Sequence, residues 1–357
     1  MKILQVITSL EVGGAEKLIV DIVPRLIEKG HIVDVVLFNG STTKFTKEIE
    51  RHPCKIYKFS KNGSVYNPLH IIKLIKIMRK YDIVHTHNTS PQIFVAIANI
   101  LCKKKIITTE HNTTNRRRNI KWFKPIDFWM YSQYKSIISI SDKATEKLKL
   151  YLPKLKTKIV TIYNGVDINK FHNSKEDTKL SKNKKKFTAV MVAGLRPQKD
   201  QDTLIKAMNL LPKEKYELWI IGDGERRNYL ENLVKELELT NNIYFLGIRT
   251  NIAEILHTAD VIIMSSHYEG LSLSSIEGMA VNKPFIASDV DGLREITKDA
   301  GILFEHGNAQ QLADIIIKLC EDKKYYQLIA DRCYKRAQLY DIAQMINSYE
   351  KLYYSII

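Results

Sequence analysis

The stretch ADVIIMSSHYEGLSLSSIEGMAVNKPFIASDV, residues 259–290, sets two short apolar runs on either side of a polar loop and a helical pattern. ADVIIMSS and PFIASDV carry the aliphatic, β-branched character of buried strands. Between them, SLSSIEGMAV offers serine N-caps and predicts a helix beginning near Ser274, with Glu277 in its first turn. Apolar strands separated by helices indicate a parallel sheet covered on both faces.

The same alternation continues outward. FTAVMVAG, YELWIIGDG and NIYFLG precede this unit; KILQVI, IVDVVLF, YDIVHTH, KIITTEH, SIISIS and KIVTIY occupy the first half. Helical patterns such as AEKLIVDIVPRLIEKG and NPLHIIKLIKIMRKY lie between them. The expected fold is α/β, with two Rossmann-like, doubly wound parallel-sheet domains facing a central cleft. The first spans 1–166 and the second 187–340. DINKFHNSKEDTKLSKNKKK (167–186) has few apolar residues and no clean periodicity, and reads as a linker. The final helix, 341–357, carries apolar and aromatic residues at helical spacing and is expected to pack back on the first domain.

Among 357 residues, 45% hydrophobic and 26% charged, no apolar run approaches a membrane span, and KILQVI is too short for a signal peptide. Cys54, Cys102, Cys320 and Cys333 are dispersed, as expected of reduced thiols in a cytoplasmic protein. The net charge of +16 suits nucleic acid, an anionic membrane or phosphorylated substrates. No helix-turn-helix, RNA-recognition or zinc-finger pattern supports the first of these.

In open α/β sheets, ligands bind beyond the carboxyl ends of the strands, where helix N-termini favour anions. A helix starting near Ser274 could hold a diphosphate there, with Glu277 accepting from ribose hydroxyls and Glu269 from those of an attached sugar. Taken alone, Glu277 reads equally as a helix-capping carboxylate. VAGLRPQKDQDTLIKAM (192–208) is again strand, loop and helix, and its loop carries Arg196 and Lys199. Two fixed cations beside a helix start could neutralise a departing diphosphate. In SLEVGGAEKLI (9–19), Gly13 and Gly14 let backbone approach a phosphate or sugar. His85, His87 and His111 end strands of the first half, where a ring nitrogen is useful to catalysis. GDGERRN (222–228) reads as a strand-ending turn and DVD (289–291) as a loop; no histidine spacing suggests a metal site.

Together HYEGLSLSSIEGMA, GLRPQK, IIGDGE, YNGVD and GGAE, in their positions along the chain, resemble the glycosyltransferase family 4 proteins, retaining enzymes of GT-B architecture. The resemblance spans nearly the whole chain, and its most specific part is the pair Glu269 and Glu277, eight positions apart. It implies that Arg196 and Lys199 hold the donor diphosphate and Glu277 the ribose. It implies that Glu269 and the backbone of Gly270, Leu271, Ser272, Leu273 and Ser274 contact the sugar and phosphates. It places His111 near the reacting carbon and Gly14 at the donor, and FLGIR (245–249) near the base. No cofactor or metal is expected; the donor would be a nucleotide-sugar, UDP by family frequency. The acceptor would be a saccharide or a polyprenyl-diphosphate-linked saccharide of bacterial surface polysaccharide assembly. Sugar-nucleotide epimerases of the same architecture are the main rival, and nucleic-acid binding a weaker one.

NRRRNIKWFKPIDFWMYSQYK (115–135) interleaves basic and aromatic residues. Arg116, Arg117, Arg118, Lys121 and Trp122 are expected to face an anionic membrane surface, making the protein peripheral on the inner face of the cell membrane. A buried helix face is the competing reading for Phe128 to Tyr131.

Overall fold

The computed structural model of the chain describes residues 1–11, 13–60, 64–111, 118 and 120–357. Arg116 and Arg117 lie outside these residues, as does the side chain of Lys121. The described chain divides into two compact units, one of Met1–Asn164 with Ala343–Ile357 and one of Gly165–Ile342.

The first unit is built on a parallel sheet of β1 (Lys2–Ile7), β2 (Ile32–Asn39), β3 (Ile56–Ser60), β4 (Ile83–His87), β5 (Lys105–Glu110), β6 (Ser136–Ser139) and β7 (Ile159–Thr161). Its order is β3-β2-β1-β4-β5-β6-β7. The second unit carries β8 (Phe187–Val192), β9 (Tyr216–Ile221), β10 (Ile243–Gly247), β11 (Val261–Met264), β12 (Phe285–Ser288) and β13 (Ile302–Phe304), also parallel, in the order β10-β9-β8-β11-β12-β13. Both are Rossmann-like windings. Strand order reverses between β1 and β4 in one sheet and between β8 and β11 in the other. Ligands of such sheets bind at the switch point, beyond the carboxyl ends of the strands, which directs attention to the loops leaving those four strands. β9, β11 and β12 are buried along their whole length, which explains their largely apolar sequence without alternation; β4 is equally buried but carries His85, Thr86 and His87.

Two strands escaped the sequence reading. β3 alternates lysine and tyrosine with its apolar residues at a sheet edge, and β13 is three residues long at the opposite kind of edge. The expected linker is a correction of another sort. Residues 167–186 hold two short helices, Ile168–His172 and Thr178–Asn183, and Ile168 and Phe171 lie in the apolar core of the second unit. Asp167 and Asp177 cap these helices through their carboxylates, so side-chain capping rather than periodicity defines them.

The helix Ile342–Ile356 returns the chain to the first unit. Met345, Ile346, Tyr349 and Tyr353 repeat at helical spacing and are buried, while Glu350 pairs with Lys29 at 2.7 Å and His31 at 2.8 Å. No helix among the described residues is long and apolar enough to cross a membrane.

Candidate functional site

In the second unit, the loop after β8 turns through Arg196 into Pro197–Lys199 before the Gln201–Asn209 helix. The loop after β11 runs through Glu269 to the Leu273–Ala280 helix, whose N-cap is Ser272, its hydroxyl accepting from Ser275 N at 3.3 Å. The two loops are joined. Gln198 O accepts from His267 N at 2.8 Å, and Gln198 Nε2 donates to Tyr268 O at 2.8 Å. At their centre Lys199 Nζ donates to Glu269 Oε1, which also accepts from Ser266 Oγ at 2.8 Å. The Glu269 side chain is only 8% exposed and that of Lys199 19%, so this is a partly desolvated pair, held by geometry more than by bulk attraction. Arg196 is exposed and its side chain has no hydrogen-bond or ion-pair partner among the described residues, leaving its guanidinium available to an anion.

Close backbone contacts fix both loops. Gly292, at φ +86, lies so near that a Cβ would fall 2.3 Å from Glu269 O and 2.4 Å from Gly270 O. Gly222, at φ +130, presses on the other loop: a Cβ there would fall 2.1 Å from Ala193 O. Only glycine meets both demands, left-handed backbone and no side chain.

In the first unit, buried polar side chains cross the sheet at β1, β4 and β5. His85 Nδ1 meets Tyr353 Oη at 2.8 Å and its Nε2 meets Thr109 Oγ1 at 2.7 Å. His87 Nε2 lies 2.9 Å from Gln5 Oε1, and His87 Nδ1 lies 2.9 Å from His111 Nε2. Gln5 Nε2 donates to Tyr353 Oη at 3.4 Å. Burial lowers all three histidines: His85 to about 3, His87 well below the ordinary value, and His111 to about 4. They are therefore neutral at pH 7. With Gln5 in this orientation the proton positions follow. A carbonyl oxygen only accepts, so His87 carries its proton on Nε2; its Nδ1 then accepts from His111 Nε2–H. His111, part-exposed at the end of β5, keeps an unprotonated Nδ1. It is a neutral hydrogen-bond acceptor, with a cationic form disfavoured by its surroundings.

The two units also match family models in succession. Residues 12–170 match "Glycosyltransferase Family 4" and residues 173–337 match "Glycosyl transferases group 1". The chain belongs to the family 4 glycosyltransferases. Among family relatives, it is 26% identical over 314 residues, 80% of this chain and 79% of the other, to the Escherichia coli UDP-Gal:alpha-D-GlcNAc-diphosphoundecaprenol alpha-1,3-galactosyltransferase. It is 25% identical over 372 residues, 97% and 95% of the two chains, to the Bacillus anthracis N-acetyl-alpha-D-glucosaminyl L-malate synthase. The crystal structure of Anabaena HepE with UDP superposes with a TM-score of 0.85 at 23% identity, over 99% of this chain and 100% of that one. HepE with UDP-glucose gives the same TM-score of 0.85. These likenesses give the GT-B fold of two parallel-sheet, Rossmann-like domains.

Within this family 4 chain, the second unit gathers Arg196, Lys199, Glu269 and the Gly270–Ser274 segment on neighbouring loops. Glu277 stands on the same helix but in its second turn, because the helix starts at Leu273. Its capping reading is thereby removed: Ser275, not a glutamate, is three residues past the cap. Gly13 is the extended N-cap of the Gly14–Glu28 helix, and a Cβ on Gly14 would meet nothing within 4 Å. Ser266, Gln198 and Gly292 support Glu269 and its loop, and Gln5 and Tyr353 support His111; all but Ser266, three residues from Glu269, act through partners distant in sequence, which no local motif signals. DVD is tied to Arg294, which pairs with Asp289 and approaches Asp291 within 4.0 Å. Arg118 is corrected: it pairs with Glu110 at 2.7 Å, its side chain 11% exposed, and is not a membrane-facing cation. On the Lys124–Ser132 helix, Met130 and Tyr131 are buried, whereas Ile126, Phe128 and Trp129 are exposed, as is Trp122 just before it.

Proposed function

We propose that the chain is a retaining, metal-independent glycosyltransferase that moves a sugar from a nucleotide-sugar, a UDP-sugar in the first instance, to a saccharide or polyprenyl-diphosphate-linked acceptor in surface-polysaccharide assembly. The observation that carries this is the Lys199–Glu269 pair with Arg196 beside it, on the two loops that leave the switch point of the second unit. Arg196 and Lys199 grip the diphosphate and stabilise the charge that builds on it as the glycosidic bond breaks. The backbone at the start of the Leu273–Ala280 helix adds its positive end, and Glu277 takes the ribose hydroxyls. Glu269 orients Lys199 and accepts from hydroxyls of the sugar. Gly13 and Gly14, at the start of the Gly14–Glu28 helix, allow a phosphate or sugar of the donor to approach backbone closely. His111, neutral and with Nδ1 as acceptor, receives a hydroxyl proton of the reacting partners in a hydrogen bond. The departing phosphate oxygen takes the acceptor's proton on the same face, so the configuration is kept without a covalent sugar on the enzyme.

The relatives support the acceptor class, one being named for a diphosphoundecaprenol substrate and another, from Escherichia coli, for O-antigen biosynthesis. A groove of about 430 Å³ lined by Pro125, Phe128, Tyr151, Leu152 and Pro153, with Lys124 and Lys154 at its sides, supports a peripheral membrane contact next to exposed Trp122 and Trp129.

The test is transfer from a panel of nucleotide-sugars to lipid-linked acceptors, followed by NMR of the anomeric proton, with metal chelated. Transfer with retention is expected. Rapid conversion of the nucleotide-sugar alone would point to an epimerase instead, and a glycosylated Glu269→Gln enzyme in the mass spectrum would overturn the front-face route.

A further inference from the structure

Three loops of the second unit converge at a place the transfer reaction does not use. Asp200 caps the Gln201–Asn209 helix after β8, His267 lies in the loop after β11, and His306 follows β13. One ligand atom from each lies within 4.8 Å of the other two. His267 Nε2 is 3.9 Å from Asp200 Oδ1, His306 Nε2 is 3.7 Å from Asp200 Oδ2, and His267 Nδ1 is 2.6 Å from His306 Nε2.

The carboxylate is the unusual member. Asp200 is 4% exposed, and its only ion-pair-range neighbours among the described residues are the two imidazoles. Its orientation is fixed from behind, Oδ2 accepting from Thr203 Oγ1 at 2.8 Å and Oδ1 from Thr203 N at 3.4 Å. An outer group holding a ligand carboxylate in this way is a usual part of a metal site. The His267 backbone is held too, donating to Gln198 O at 2.8 Å. The exposed rings complete the set from solvent, the direction from which an ion would arrive.

We propose that Asp200, His267 and His306 form a binding site for a divalent transition-metal ion, with zinc the best match. Two imidazole nitrogens and one carboxylate oxygen are the donors that borderline cations take; magnesium and calcium prefer oxygen alone. Donors at zinc bond lengths of about 2.0–2.1 Å in a tetrahedron sit about 3.3 Å apart. With one donor atom from each residue already within 4.8 Å of the other two, the separations need to close by about 1.5 Å or less, and the ring–ring hydrogen bond opens as the ion displaces its shared proton. The fourth position stays open to water or an anion. Bound there, the ion would tie together the loops carrying Lys199, which precedes Asp200, and Glu269, two residues beyond His267. The proposal rests on these three side chains and is independent of the transfer reaction.

The test uses the untagged full chain, stripped of metal, titrated with zinc by calorimetry and with cobalt(II) by visible spectroscopy, beside His306→Ala and His267→Ala. One equivalent of zinc per chain is expected, with a cobalt spectrum of nitrogen and oxygen ligation. Each alanine variant should bind at least about 10-fold more weakly, the loss seen even for outer partners of a metal site. As a check free of variants, zinc should shield His267 and His306 of the wild type from diethylpyrocarbonate, read by peptide mass spectrometry. Unchanged zinc affinity in both variants, a thiolate-to-cobalt charge-transfer band, or no shielding would overturn the site.

Discussion

The two units wind six strands in the same order, the first adding β7 at its edge, and treat charge in opposite ways. At the switch point of the second, a cation and a carboxylate are paired at the edge of solvent and a second cation is left exposed. At that of the first, two imidazoles are sunk into the sheet and a third, His111, stands part-exposed just past β5, all three held neutral by desolvation. The difference follows from what each surrounding can sustain. A loop beside a helix start can hold an ionised group for little penalty, whereas a sheet interior expels it unless it is paired. One unit is thus suited to grip an anion and the other to present an oriented, neutral acceptor.

The strongest way to break this contrast is to remove the exposed charge. Lys199→Ala should lower kcat/KM for the donor by about 10²–10³-fold, the usual loss for a group that stabilises developing negative charge, with Arg196→Ala in the same direction. Steady-state kinetics across donor concentration would show it. A loss no greater than that of a neutral surface substitution would mean that charge is used elsewhere.

The first unit offers the converse test, at its one described carboxylate–guanidinium pair that is nearly buried on both sides, Glu110 and Arg118. Arg118→Met would leave Glu110 with only the neutral donors Tyr131 and Gln92. Uncompensated burial of that charge should cost about 3 kcal/mol in urea unfolding. Binding to anionic vesicles should not change, since Arg118 does not face solvent.

What the sequence made legible follows the same division. The parallel sheets were readable because strands buried on both faces are rich in continuous apolar runs, as in VIIM of β11 and LWII of β9. The grouping of Arg196, Lys199 and Glu269 was readable because these residues sit on loops between a strand and a helix, where local pattern has meaning. The supports were not. Gly292 matters for the carbonyls of Glu269 and Gly270, and Tyr353 for His85 and Gln5, contacts made across long separations by tertiary packing. The segment 167–186 misled because its helices are capped by Asp167 and Asp177 and anchored by Ile168, Phe171 and the half-buried Leu180, too little for periodicity to register. Arg118 misled because a basic run reads as surface, while one member of it turns inward to a carboxylate.

A finer probe of the buried histidines is acid. His85 has a folded pKa of about 3 against 6.5 in the open chain, and His111 about 4 against 6.5. Between those limits the unfolded chain takes up protons that the native chain refuses. The stability these groups contribute is thus full above about pH 6.5 and is lost as pH falls. Each imidazole should tilt the stability–pH curve by about 1.4 kcal/mol per pH unit in that window. His85→Gln should remove one such slope, so urea midpoints of variant and wild type would approach one another from pH 6 to pH 5. Parallel curves would mean that His85 already shares the solvent's protons, and the contrast between the units would lose its sharper half.

The smallest effect concerns the return of the C-terminal helix. Tyr353 contributes a single hydroxyl to His85 and Gln5, so Tyr353→Phe should cost about 1 kcal/mol, the net worth of a buried hydrogen bond, and leave packing intact. Gln5 is the hinge of the proton order, because its amide faces Tyr353 with nitrogen and His87 with oxygen. Losing the tyrosine oxygen removes one reason for that orientation. If the amide turns over, His87 must accept where it donated, and His111 must carry its proton on Nδ1 instead of Nε2. Nitrogen-15 NMR of the imidazoles distinguishes the two tautomers directly. A double-mutant cycle of Tyr353→Phe with His87→Gln should then show coupling of about 0.5 kcal/mol or more, since the two sites share Gln5 as partner. Additive costs with an unchanged His111 tautomer would mean that the helix merely covers the sheet, and that the order of protons is set within β1, β4 and β5 alone.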